Sequence, residues 1–324
     1  MKDMPSLPLL RTPVDLGAPL RPIGVGDGNV FLGSCFAEHV GGRFLRSRLH
    51  AVVNPLGVLY NARSIARVLS TTGMTSEDAR RTCDQDYVEG DGMWHTWVGD
   101  TSLSHTSEEG CRERTEKALG ELHEALLGAD NLFLTLGTTH YYTEVNGGEV
   151  VANCHRLPAS LFRESEMTAT EVVECLSEVL LPLHERNPRI QVVLTVSPYR
   201  YRKYGFHASQ LAKSRLLLAV DELVQHHSEW MCYFPAYELM MDELRDYRFY
   251  AEDMLHPSEQ AVEYIWQRIR ANWMEDSTRE YLSQLEPLVR ALEHRPLHED
   301  NPANEAFRQR TLAQIEKLVQ KCTK

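Results

Sequence analysis

The sequence has no long apolar run, and nothing in it approaches the roughly 20 consecutive apolar residues of a membrane-spanning helix. Pro5, Pro8 and Pro13 interrupt the first residues, so this stretch predicts neither a signal peptide nor a membrane anchor. Positive charge is also scarce. Against 46 Asp and Glu stand 34 Lys and Arg, a net charge of −12. Broad binding to nucleic acid or to an anionic membrane surface needs basic patches, and neither is expected here. The seven cysteines are odd in number and unevenly spaced, with no Cys-x-x-Cys pair. They predict reduced thiols and a cytoplasmic protein, not a disulfide framework. There is no His-Glu-x-x-His, no P-loop and no Gly-x-Ser-x-Gly. Zinc protease, nucleotidase and nucleophile-elbow hydrolase chemistry are thereby set aside.

What is present is an ordinary globular composition, 43% hydrophobic and 25% charged. A length of 324 residues suffices for one large domain with extensions. Residues 1–28 are rich in Pro and Gly and read as an irregular leader. Gly24-Val25-Gly26-Asp27-Gly28 precedes a strand instead of following one, so it reads as a loop and not as a dinucleotide fingerprint. Residues 29–275 form the main domain, and 276–324 a charged helical extension. In that extension Leu282, Leu285, Leu288 and Leu292 make one apolar stripe, and Leu312, Ile315 and Leu318 another. These stripes either pack back on the body or form a homodimer contact.

Five short apolar runs read as buried strands: Val30 to Leu32, Ala51 to Val53, Asn131 to Leu136, Ile190 to Val196, and Met231 to Phe234. Helical patterns separate them, over 61–69, 108–127, 168–183, 208–227 and 258–273, with another beginning after Ser34. Strands alternating with helices predict an α/β fold, a flavodoxin-like doubly wound sheet of about five parallel strands. Two hairpins interrupt the pattern. One surrounds Asp91-Gly92, and the other lies between Tyr141-Tyr142-Thr143 and Val150-Val151. Residues 242–253 read as a polar loop.

Ser34 falls where the first strand stops and a helix begins. Unpaired N–H groups at a helix start favour nearby negative charge, so a nucleophile there has an anion site at hand. The same position equally suits a plain N-cap. In an open parallel sheet, ligands bind beyond the carboxyl ends of the strands. Ser34, Gly57, Thr138 and Thr139, Ser197, and finally Asp253 with His256 follow the five strands in turn. Asp253 and His256, separated by two residues on a loop entering a helix, suit a carboxylate orienting an imidazole whose other nitrogen faces Ser34.

Gly33-Ser34-Cys35-Phe36-Ala37 spells the signature of the GSCFA family. The resemblance extends through Asn54-Pro55-Leu56-Gly57, Leu136-Gly137-Thr138, Asn153-Cys154-His155, Ser197-Pro198 and Asp253-Met254-Leu255-His256, roughly from Val30 to Trp266. That family looks like a branch of the SGNH, or GDSL-type, hydrolase superfamily. The resemblance implies a catalytic triad of Ser34, His256 and Asp253. The implied reaction is a serine-dependent esterase acting, through an acyl-enzyme, on an acyl ester such as an acetyl ester of a small molecule or carbohydrate. An O-acyltransferase to a sugar or other alcohol shares the acyl-enzyme step, and an inactive ligand-binding protein shares the fold. No cofactor and no metal is implied. The oxyanion donors expected are the N–H of Ser34, Gly57 and a third group. SGNH enzymes usually place an asparagine where this chain has Thr139; its hydroxyl, a nearby N–H or Asn153 is left for that place. Thr138, Asn153, His155 and Ser197 are expected at the substrate, although Asn153-Cys154-His155 equally suits a structural role. Trp94, Trp97, Tyr141, Tyr142, Tyr199 and Tyr201 are aromatic surfaces either for a sugar or for ordinary packing. Cys35 is a rival nucleophile or a small buried thiol.

Overall fold

The computed structural model describes residues 12–71, 86–294 and 302–322. The start of the leader, the stretch before the first hairpin and Pro296 lie outside them.

The centre is a five-stranded sheet in the order β2-β1-β5-β9-β10, every neighbouring pair parallel. Its strands are β1 (Asn29–Gly33), β2 (Ala51–Val53), β5 (Asn131–Leu136), β9 (Gln191–Val196) and β10 (Met231–Tyr233). β1, β5 and β9 are buried along their whole length, which is why they read as continuous apolar runs. Alternate residues serve opposite faces. Val30, Leu32, Leu132, Leu134, Val192 and Leu194 enter one core, where helices α2 (Ala62–Thr71), α3 (Glu108–Gly128), α4 (Ala169–Arg186) and α5 (Phe206–His226) pack. Phe31, Phe133 and Val193 enter the other, under α1 (Cys35–Arg46), α6 (Glu259–Trp273) and α7 (Asp276–Glu293). Phe31 stacks on Phe133 at 4.5 Å, and Phe44 of α1 closes on both, with Trp266 of α6 behind it.

The chain reverses direction across the sheet between β1 and β5. That switch point is where a doubly wound sheet opens a crevice at its carboxyl edge, and both loops bordering it carry the residues of interest.

The helix ends follow their local chemistry. Thr168 and Glu171 form a reciprocal capping box on α4, and Ser258 caps α6. The first hairpin, β3 (Tyr87–Gly90) and β4 (Met93–Thr96), turns through Asp91 and Gly92, both at positive φ. The second, β6 (His140–Glu144) with β7 (Val150–Val151), gains a third strand, β8 (Phe162–Glu166), that its half-exposed sequence did not announce. The stretch expected as a polar loop starts inside a π-helical turn, Leu239–Glu243, and buries Glu243 and Leu244.

The described part of the leader is irregular but firmly docked. Ile23 donates its N–H to Trp273 O at 2.9 Å, and Thr278 Oγ1 and Glu275 N–H both donate back to Ile23 O. Helix α7 buries Tyr281, Leu282 and Leu285 in the same core, and α8 (Pro302–Cys322) adds Ile315. The apolar stripes of the extension therefore pack on the body. No helix among the described residues is long and apolar enough to cross a membrane.

Candidate active site

Ser34 stands at the end of β1 as the N-cap of α1, its Oγ accepting the Phe36 N–H at 3.3 Å. The turn into it is tight. Gly33 has φ 128°, and a Cβ there would collide with the Thr135 carbonyl oxygen of β5. Asn54, after β2, clamps this turn by accepting the Gly33 N–H at 2.9 Å and donating to Gly33 O at 3.2 Å. Ser34 itself is only 1% exposed.

His256 sits just before α6. Its Nδ1 bonds Asp253 Oδ2 at 2.5 Å, while Asp253 Oδ1 accepts the N–H groups of Leu255 and His256. Met254, at φ 61°, makes the turn that folds the carboxylate back on the ring. The His256 N–H first, and then the imidazole, hold the Asp253 carboxyl down at about 2. It is a carboxylate through the neutral and mildly acidic range. With Nδ1 engaged, Nε2 is the nitrogen left to act as a base.

Two residues tie this pair to the loop after β9. Arg200, after β9, donates its N–H to Leu255 O at 3.2 Å and its Nη1 to Met254 O at 3.3 Å. The neighbouring Tyr199 ring lies 4.2 Å from the His256 ring. Burial raises the Tyr199 phenol above its usual range, with further contributions from Cys35 and then Asp253, so one side chain feels both halves of the site. His39, on α1, is pushed down first by burial, with Glu259 acting against the shift and His256 adding to it. No hydrogen bond joins Ser34 Oγ to His256 among the described residues.

The expected oxyanion donors are differently employed. The Ser34 N–H donates to Thr135 O at 3.0 Å, since β1 and β5 continue their pairing through it. The Gly57 N–H donates to Asn54 O at 2.7 Å inside its own turn. Gly57 is required for another reason: it has φ 80°, and a Cβ would overlap the Asp100 carboxylate. Thr139 is fully buried and its hydroxyl donates to Glu166 of β8 at 3.0 Å.

The expected substrate residues also turn inward. Thr138 accepts the His140 N–H, and Ser197, fully buried, accepts the Tyr199 N–H and so shapes the loop beside His256. Asn153 accepts the His155 N–H at 2.7 Å, making a local turn. His155, at φ 50° and 3% exposed, bonds Thr96 O at 2.8 Å and stacks on His95 at 4.5 Å. With Ala152 N–H on Trp97 O, this motif staples the two hairpins together. Trp97 is buried in the same joint, edge-on to Phe162. Cys35 remains a thiol, pushed up to about 11 chiefly by burial.

Two residues were not singled out or not placed by the sequence. Lys213 of α5 is 1% exposed, and its Nζ donates to Gly137 O at 2.6 Å and Ser197 O at 2.7 Å, joining the ends of β5 and β9. Burial pushes it down to about 7. Its signal was a lysine on the buried stripe Ser209, Ala212, Leu216, Val220. Tyr201 has a buried hydroxyl with no partner among the described residues. Among those residues no cluster of His, Cys, Asp and Glu could hold a metal ion.

The fold and site define a doubly wound α/β protein with a serine at the switch point and a paired Asp-His on the loop after the last strand. A profile of the GSCFA family matches residues 29–269, and the chain belongs to that family. None of the curated proteins compared with the chain matches it.

Proposed function

We propose that this chain is a serine-dependent esterase for small acyl esters, acting through an acyl-enzyme as SGNH-type hydrolases do. The observation that carries the reading is the Asp253–His256 pair, with Nδ1 bound at 2.5 Å and held by Arg200 and Tyr199 to the loop after β9, at the same carboxyl edge of the sheet where Ser34 caps α1. Ser34 Oγ attacks the ester carbonyl carbon while His256 Nε2 takes the hydroxyl proton. The same nitrogen returns that proton to the leaving alkoxide. Asp253 keeps the ring oriented and stabilises its protonated form. Water then adds to the acyl carbon by the same route and releases the acid. Catalytic hydrogen bonds commonly form or tighten only around substrate, so this reading expects the Ser34–His256 bond in the substrate complex. The burial of Ser34 favours a small acyl group, acetyl above longer chains.

A specific observation favours a second reading, a binding protein of the same fold: the N–H groups of Ser34 and Gly57 are already paired within the chain. Labelling with a fluorophosphonate separates the two. The esterase reading expects covalent labelling at Ser34, and turnover of p-nitrophenyl acetate that falls by several orders of magnitude in both Ser34→Ala and His256→Ala. The double variant should be scarcely worse than either, because the residues act as a unit. An unlabelled, inactive wild-type chain would refute the esterase.

A further inference from the structure

The loop after β9 carries Tyr201, whose ring is held edge-on by Tyr199 at 4.7 Å and by Tyr60 at 6.1 Å. Its backbone is fixed as well, the Tyr201 N–H donating to Ser209 Oγ at 3.2 Å. Lys213 Nζ lies 5.5 Å from the centre of the ring. Everything about this side chain is pinned except its hydroxyl, which is buried and unpartnered among the described residues. A buried polar group without a partner lowers stability, so a chain that keeps one calls for an explanation.

The surroundings of Gly137 locate it. The point at which a side chain on Gly137 would begin lies 2.9 Å from Tyr201 Oη and 3.5 Å from Ser34 Cβ. The phenol oxygen therefore lies against Gly137 on the side toward Ser34, with the Tyr60 carbonyl oxygen as near to that point at 2.9 Å. Burial keeps it well above its ordinary range, so it stays an O–H donor. Meanwhile the donors expected from the sequence point elsewhere, Thr139 to Glu166 and the Ser34 N–H to Thr135 O.

We propose that the Tyr201 hydroxyl donates a hydrogen bond to the carbonyl oxygen of the ester, and to the oxyanion that forms when Ser34 adds to it. This rests on the esterase reading above. No proton leaves the phenol; the contact shortens as negative charge develops on the oxygen, which is how such a donor lowers the barrier. Gly137 is needed because a Cβ there would press on Tyr201 Oη and on the Tyr60 carbonyl oxygen, displacing the phenol. Lys213 is a positioning residue, holding Gly137 and the start of the Tyr201 loop from below.

Tyr201→Phe tests this in the full chain, since it keeps the ring and removes only Oη. The expected result is a fall of about a hundredfold in kcat for p-nitrophenyl acetate with KM little changed. Fluorophosphonate labelling of Ser34 should slow in parallel. The melting temperature should hold or rise, because an unpartnered hydroxyl has been removed. If the wild-type chain labels at Ser34 and Tyr201→Phe labels and turns over equally fast, the Tyr201 assignment is wrong and the esterase stands. A lowered melting temperature would also overturn it, by showing that the hydroxyl has a structural partner. If the wild-type chain neither labels nor turns over, both readings fall.

Discussion

Acid should loosen this fold through one buried imidazole. His155 is 3% exposed, wedged between the two hairpins, and burial pushes it down to about 4 from an ordinary 6.5. In the unfolded chain the ring takes up a proton as pH falls through 6.5; in the folded chain it does so only near 4. Between those limits the unfolded state holds more protons, so stability declines as pH falls. It is fully present above the unfolded value and fully lost below the folded one. Each pH unit in that window costs up to about 1.4 kcal/mol, and the whole window sums to about 3 kcal/mol. His155→Gln keeps an N–H for Thr96 O and cannot titrate. Urea unfolding of both proteins between about pH 7 and about pH 4.5 isolates the effect, because other carboxylates and histidines contribute equally to each. The wild-type chain should lose roughly 2 kcal/mol more than the variant over that span, the rest of the window lying below it. Parallel losses in the two proteins would mean that the ring is not held neutral, and the argument from its burial would fail.

Two further outcomes follow from the crevice. Cys35→Ser should retain most ester turnover, since the thiol is pushed up to about 11 and is no thiolate at neutral pH; an inactive Cys35→Ser beside an active Ser34→Ala would reverse the choice of nucleophile. Gly57→Ala should lose about 2 kcal/mol or more from its positive φ alone, with further loss from the overlap with Asp100, seen as a lower melting temperature. Unchanged melting would show that the turn tolerates a side chain and that the overlap with Asp100 is not real.

The parallel sheet was legible because β1, β5 and β9 are apolar on both faces, and no other element needs that. The Asp253–His256 pair was legible because its geometry is local, a carboxylate folded onto a ring three residues later. The oxyanion donors were not. Whether the Ser34 N–H is free depends on Thr135, a hundred positions away in sequence, lying opposite it. Thr139 reads as a site residue until β8 brings Glu166 to its hydroxyl. His155 suffers the same fate, since its burial is made by a hairpin about sixty residues earlier. Lys213 shows the converse: its stripe was visible, but only the fold says that the stripe runs beneath the crevice.

The docking of Ile23 against Trp273 and Thr278 has a consequence for how the chain is made. The last strand of the sheet is complete at Tyr233, yet the aromatic face of Phe31, Phe44 and Phe133 is roofed by Trp266 and by helices that follow it. While the chain emerges from the ribosome, that face stands uncovered until residues near 273 are available, and the leader has nothing to bind. Closure joins positions some 250 residues apart, a slow step for a folding chain. Nascent or truncated forms that stop before α6 will therefore present a large apolar surface and need a chaperone or will aggregate.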